Sequence, residues 1–168
     1  QFTENQKAEQ ALYRAVQAFY NALKSEQVKL ISWGKYRWFE GLIAIEYLYN
    51  KKQEEWLLEL ARMLKEQGIR WSELKDNWVL PMNEWRMDTH IVNIAMMFKY
   101  EAVSSRFFEE PYKNTAEKLW NVLREYNGTA VGTLTGDECL SGTENIRGTE
   151  LCSVVEMMYS FETIYQIT

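Results

Sequence analysis

The sequence predicts an all-α fold of stacked helical hairpins. Three observations carry this. Apolar residues recur at helical spacing through most of the chain, strand-like alternation is almost absent, and the helical stretches alternate between half-apolar and apolar on most sides. The last pattern predicts an inner and an outer helical layer. No repeat of fixed period is visible, so a toroid of hairpins is favoured over a regular solenoid.

In the first predicted helix Leu12, Val16, Phe19 and Leu23 form the stripe, and in the second Trp38, Leu42, Ile45 and Tyr49 do. Leu57, Leu60, Ala61 and Leu64 mark a third, which stops at Gly68, a candidate C-terminal cap. The run Ile91 to Val103 is apolar on most sides and predicts one helix buried all round. Pro111 is placed to open the next helix, with Tyr112, Ala116, Leu119 and Leu123 on one face, because its missing N–H would be unpaired there anyway. The last helix is expected from about Glu150 to Tyr165, with Thr149 as N-cap and Val154, Met157, Phe161 and Ile164 inward. Thr129–Thr133 reads as a short strand or an extended loop. No Pro-rich, Gly/Ser-rich or single-charge block divides the chain, so residues 1–168 read as one all-α segment.

Composition removes several function classes. With 19 basic and 24 acidic residues the net charge is -5, which argues against nucleic acid, since phosphate binding needs a basic face. No run of about 20 apolar residues occurs, so no transmembrane span is expected. The 7 Trp and 10 Tyr suit carbohydrate stacking, although a bulky core uses aromatics as readily. Two Cys and one His provide neither a disulfide scaffold nor a closed four-ligand zinc site. The chain opens at Gln1 with no charged-then-apolar leader, so residue 1 is expected to lie within a longer translation product. The sequence leaves a homo-oligomer open, and it leaves both an exported (periplasmic or extracellular) and a cytoplasmic location open.

One stretch resembles a chemical site. Gly136 to Gly142 and Arg147 to Cys152 place acids, thiols and glycines between two helical regions. Glycine lets backbone approach a ligand closely, and carboxylates and thiols move protons, hold metals or attack carbon. Glu138 is the candidate proton donor to a leaving sugar oxygen; its commoner role would be a solvated loop acid beside Asp137. Glu150 and Cys152 converge on one ion only at a helix N-terminus, where the dipole also favours an anion and a thiolate. Otherwise Glu150 satisfies the dipole and Cys152 is a small core residue. His90 and Asn93 share a face at the start of the most buried helix, where the amide needs partners that sugar hydroxyls would provide. Glu40, among Trp33, Tyr36, Trp38 and Phe39, suits a sugar subsite or a rim ion pair with Lys35 or Arg37. Cys139 and Cys152 could instead form a disulfide in an exported protein.

Four motifs occur in order: Tyr36-Arg-Trp38-Phe-Glu40, His90-Ile-Val-Asn93, Gly136-Asp-Glu-Cys-Leu-Ser-Gly142 and Arg147-Gly-Thr-Glu-Leu-Cys-Ser-Val-Val-Glu156. The set resembles the β-L-arabinofuranosidase glycoside hydrolases, family 127 and its relatives, over nearly the whole chain. The resemblance implies part of an (α/α)6 barrel and exo-acting, retaining hydrolysis of terminal furanosides from plant-derived glycans. It implies zinc held by one Glu and three Cys, one of these thiolates being the nucleophile. Its Glu-x-Cys ligand pair matches Glu150 and Cys152. Its acid/base Glu matches Glu138, at a shorter spacing from the ligand pair than in the characterised branch. His90 and Glu40 fall among its cleft residues, and with Asn93 and Trp38 they are the candidate substrate contacts. The two remaining family cysteines, the nucleophile among them, have no counterpart here, so the resemblance implies an incomplete barrel with half a metal site, inactive alone and holding little or no zinc. A different helical-toroid enzyme (a lyase or epimerase) and a non-catalytic helical module binding glycans or a protein are the competing readings.

Overall fold

The computed structural model describes residues 5–79, 85–144 and 146–168. Among them the chain is mostly helical and contains no strand, in keeping with the all-α reading. It divides into two compact units, Gln1–Gly68 and Ile69–Thr168. No helix among the described residues is long and apolar enough to cross a membrane.

The first unit holds α1 (Gln6–Lys24), α2 (Ser32–Tyr36), α3 (Glu40–Lys52) and α4 (Glu55–Gln67). The Asn5 side chain caps α1 by accepting from the Lys7 and Ala8 N–H groups, at 3.0 and 3.3 Å. Of the α1 stripe Leu23 is buried, Leu12 and Val16 are half-buried, and Phe19 faces solvent. Tyr20 is buried in its place, and its hydroxyl donates to Glu59 of α4 at 2.5 Å. A two-residue link, with Gln53 at φ 53°, turns α3 back onto α4 as a hairpin, and α1 packs against both. Leu42, Ile45 and Leu48 of α3 and Leu57, Leu60, Ala61 and Leu64 of α4 form its core.

Gly68 ends α4 as expected, its N–H donating to the Leu64 carbonyl at 2.8 Å. The reason for glycine is contact rather than a left-handed cap. Its φ is -75°, and a Cβ there would stand 2.1 Å from Cδ1 of the Trp38 indole. The Trp38 ring therefore lies directly on the Gly68 backbone.

The second unit opens with two 3-10 turns, Trp71–Glu73 and Lys75–Trp78, followed by α5 (Ile91–Met97), α6 (Tyr100–Ser105), α7 (Thr115–Asn127) and α8 (Leu151–Ile167). α8 packs along α5 and α6, and α7 packs on the second 3-10 turn.

Several local expectations are corrected here. The single helix expected from Ile91 to Val103 breaks at Phe98 and Lys99. The Ser160 hydroxyl of α8 donates to the Ala95 carbonyl at 2.7 Å, a group the continuing helical ladder would use. Burial persists across the break, since Ile91, Ile94, Met97, Phe98, Ala102 and Val103 are all enclosed.

The helix expected at Pro111 starts at Thr115, because the Glu101 carboxylate takes the Lys113 and Thr115 N–H groups, at 2.8 and 2.7 Å, and caps α7 from α6. Thr149 is not the N-cap of α8. Glu150 holds that position, and the Thr149 hydroxyl donates to the Leu134 carbonyl at 3.2 Å. The inward face of α8 is turned by about one residue, with Ser153, Met157 and Ser160 buried. Phe161 is 40% exposed, stacked beside Phe98 and Trp120. Residues 129–133 form a turn closed by the Thr129 N–H bond to the Thr133 carbonyl, at 2.8 Å, and not a strand.

Candidate functional site

The second unit brings His90, Asn93 and Glu138 together. A tight turn precedes α5, in which the His90 N–H donates to the Arg86 carbonyl at 2.9 Å and the Arg86 N–H to the Thr89 hydroxyl at 3.0 Å. Asp88 anchors this turn from beneath. Its carboxylate accepts from Asn77 at 2.8 Å and faces the Arg86 guanidinium at 3.3 Å, and its carbonyl accepts from the Trp78 indole at 2.9 Å.

His90 is then the N-cap of α5, its Nδ1 accepting the Asn93 N–H at 3.3 Å. The buried Asn93 side chain donates to the Met87 carbonyl at 2.8 Å, so a partner for its amide lies inside the protein.

The glycine-rich loop is fastened across this cap by backbone bonds. The Glu138 carbonyl accepts the Ile91 N–H, the first of α5, and the Leu140 N–H donates to the Thr89 carbonyl, both at 2.9 Å. Gly136 donates to the Gly148 carbonyl at 2.8 Å, which sets the loop beside the segment entering α8. A Cβ at Gly136 would lie 2.9 Å from the Cys139 carbonyl and 3.1 Å from Cβ of Ile91, so the close approach requires glycine. Asn127 ties the far side, donating to the Trp78 carbonyl and accepting from the Gly142 N–H, both at 3.0 Å.

Within this frame Glu138 takes φ 77°, a conformation that costs a non-glycine residue about 1–3 kcal/mol and clusters at functional sites. Its carboxylate stands 3.4 Å from Nε2 of His90. The two ends differ in environment: the imidazole is 7% exposed and the carboxylate side chain 67%. The pair thus presents an accessible acid on a buried base.

Glu150 and Cys152 lie at the start of α8. Glu150 is half-buried, and its Oε2 is sealed from solvent with no hydrogen-bond partner. Cys152 is exposed and free, and Cys139 is half-buried and free. Burial pushes the Cys139 thiol up, with the Arg147 charge opposing and the Glu138 and Asp137 charges adding to the rise. No three His, Cys, Asp or Glu side chains among the described residues are grouped to hold a metal.

Trp38 and Glu40 belong to the first unit, where Trp38 is buried against Gly68 and the half-buried Glu40 opens α3. A surface groove of about 500 Å³ in that unit is lined by ion-paired residues, Glu9, Lys51 and Lys52 among them, and by no residue predicted for the site.

Sequence reasoning missed Asp88, Asn127 and Trp85. The bonds of the first two to Asn77, Trp78 and Gly142 join residues ten or more apart in sequence, which leaves no periodic signal. Trp85 lies outside every apolar stripe; it is 46% exposed, and its ring lies edge-to-face 5.9 Å from that of His90. Compared with protein-family models, curated proteins and solved structures, the chain matches none of them.

Proposed function

We propose that this chain is part of an exo-acting, retaining glycoside hydrolase for terminal furanosides such as β-L-arabinofuranose, and that its helices form part of an (α/α)6 barrel. The observation that carries the proposal is the exposed Glu138 carboxylate held 3.4 Å from the buried His90 imidazole. It is the one acid of the candidate block fixed by strained backbone against a titratable partner.

In this reading Glu138 gives its proton to the departing glycosidic oxygen. The carboxylate left behind faces Nε2–H of His90, which steadies the new charge. A thiolate from outside these residues attacks the anomeric carbon as the glycosidic oxygen leaves; Glu138 then takes a proton from water, which displaces the thiolate, and the two inversions give retention. The asymmetry of exposure suits both steps: sugar and water reach the acid, while the imidazole stays fixed.

The donor set at α8 fits zinc in part. A sealed, unpartnered carboxylate oxygen on Glu150 and a thiol two residues on supply two donors, and a catalytic zinc site needs three from protein. Glu150 and Cys152 would hold the ion together with donors from outside these residues, and bound zinc keeps a ligating thiol ionised at neutral pH.

The test is Glu138→Gln in the protein that carries the thiolate donor. Hydrolysis of unactivated furanosides should fall by about two to four orders of magnitude, the usual share of a general acid. Aryl furanosides with good leaving groups should lose much less in the glycosylation step. Equal loss on both would refute the acid role, and unchanged activity would favour a binding module.

A further inference from the structure

The geometry points to Trp85 as the platform on which the sugar lies, a neutral-sugar subsite built from an indole face, His90 and Glu138. This rests on the reading of Glu138 as a sugar-facing acid. Of the seven tryptophans Trp85 is the most exposed, at 46%, while Trp71 and Trp78 are wholly enclosed. Single exposed aromatics are ordinary on protein surfaces and mean little by themselves. Trp85 differs in its position. Its ring centre lies 5.9 Å from that of His90, and Nε2 of the same imidazole lies 3.4 Å from Glu138.

An exposed indole, a buried imidazole and an exposed carboxylate therefore follow one another within a few ångströms. The indole offers an apolar face for the C–H side of a sugar ring, and the carboxylate accepts from its hydroxyls. Trp85 directly precedes the Arg86–His90 turn, which backbone bonds and Asp88 hold in place. Preorganisation of this kind reduces the ordering cost of binding. The aromatic beside the imidazole that meets the candidate acid is thus Trp85, whereas Trp38 packs against Gly68.

The experiment titrates the chain with methyl β-L-arabinofuranoside by NMR. His90 is the chain's one histidine, so its ring protons report the site without ambiguity. Saturable shifts are expected at His90 and at one indole N–H. Trp85→Ala should weaken binding about tenfold or more, the loss expected when an aromatic contact of this size is removed. Trp85→Phe, which keeps a ring and guards against a folding artefact, should weaken it less. Unchanged affinity in Trp85→Ala, or no saturable shift at His90 in the parent chain, would overturn the platform. Trp85-dependent binding with normal hydrolysis in Glu138→Gln would keep the platform and overturn the catalytic reading.

Discussion

The imidazole of His90 is held from both sides: Nδ1 accepts the Asn93 N–H at 3.3 Å, and Nε2 stands 3.4 Å from the Glu138 carboxylate. A backbone amide can only donate, so Nδ1 must carry the lone pair, and the neutral ring carries its proton on Nε2, facing the acid. Capping α5 thus decides the tautomer, and the tautomer decides what Glu138 meets. A structural role and a chemical role are joined in one side chain.

That junction can be separated by substitution. His90→Ala removes the cap acceptor and should lower stability by about 1 kcal/mol, read as a shift in the urea midpoint. His90→Asn restores a good N-cap residue and should recover most of that loss. It should not restore the partner of Glu138, so turnover on unactivated furanosides should stay low in both variants. If Asn proves no more stable than Ala, the cap is not what His90 contributes.

The residues that were legible in the sequence share a physical character. Leu57, Leu60, Ala61 and Leu64 are buried as their spacing implies, because one apolar stripe meeting one core is a local property. Where the reading failed, a side chain from elsewhere in the chain intervened. Ser160 opens the helix after Met97, and Glu101 moves the start of α7 from Pro111 to Thr115. In the site, Glu138 and His90 were both visible as chemistry-bearing residues, but their approach depends on the Ile91 bond to the Glu138 carbonyl and the Leu140 bond to the Thr89 carbonyl. No spacing rule encodes such bonds.

Lys99 presents a separate case, since its residue is 0% exposed and its ammonium faces Glu156 of α8 at 3.6 Å, with Tyr159 beneath it at 4.8 Å from the ring centre. Breaking a sealed ion pair from one side leaves an uncompensated charge, which typically costs 3–5 kcal/mol. The Glu156 side chain is 30% exposed, so Glu156→Leu should cost less, about 2 kcal/mol by chemical denaturation. Adding Lys99→Met should recover most of it, because an apolar pair of similar volume is tolerated at such places. A double variant no better than the single one would show that Lys99 is held by its other contacts.

Acid should weaken the first unit through three surface carboxylates. The Lys51 hydrogen bond holds Glu9 below its ordinary value of 4.5, the Trp56 indole and then Tyr13 do so for Glu54, and Tyr20 and then Lys24 for Glu59. A folded-state value below the unfolded one means stability that is complete above about 4.5 and is lost as pH falls through the lowered values. The urea midpoint should therefore be flat from neutral pH down to about 5 and decline below 4.5. Glu59→Gln should show a shallower decline, and added salt should lessen it in the parent chain only through the Lys51 and Lys24 charges, since Glu54 is held chiefly by neutral donors. An equally steep decline in Glu59→Gln would exclude this origin.

The two thiols should differ in reactivity, and the difference bears on the metal. Cys139 is half-buried, and burial raises its pKa, so little of it is thiolate near neutral pH. Cys152 is exposed in the first turn of α8, where a reagent can reach it. With iodoacetamide at about pH 7.5, Cys152 should be alkylated well before Cys139, as followed by peptide mass spectrometry. In urea the two rates should converge, because the difference belongs to the fold. Zinc added to the 168-residue chain should give Cys152 little protection, since Glu150 and Cys152 supply only two of the three protein donors that a catalytic site needs. Stoichiometric protection of Cys152, lost in Glu150→Gln, would show that the pair binds zinc without further ligands and that the donor set proposed from outside these residues is unnecessary.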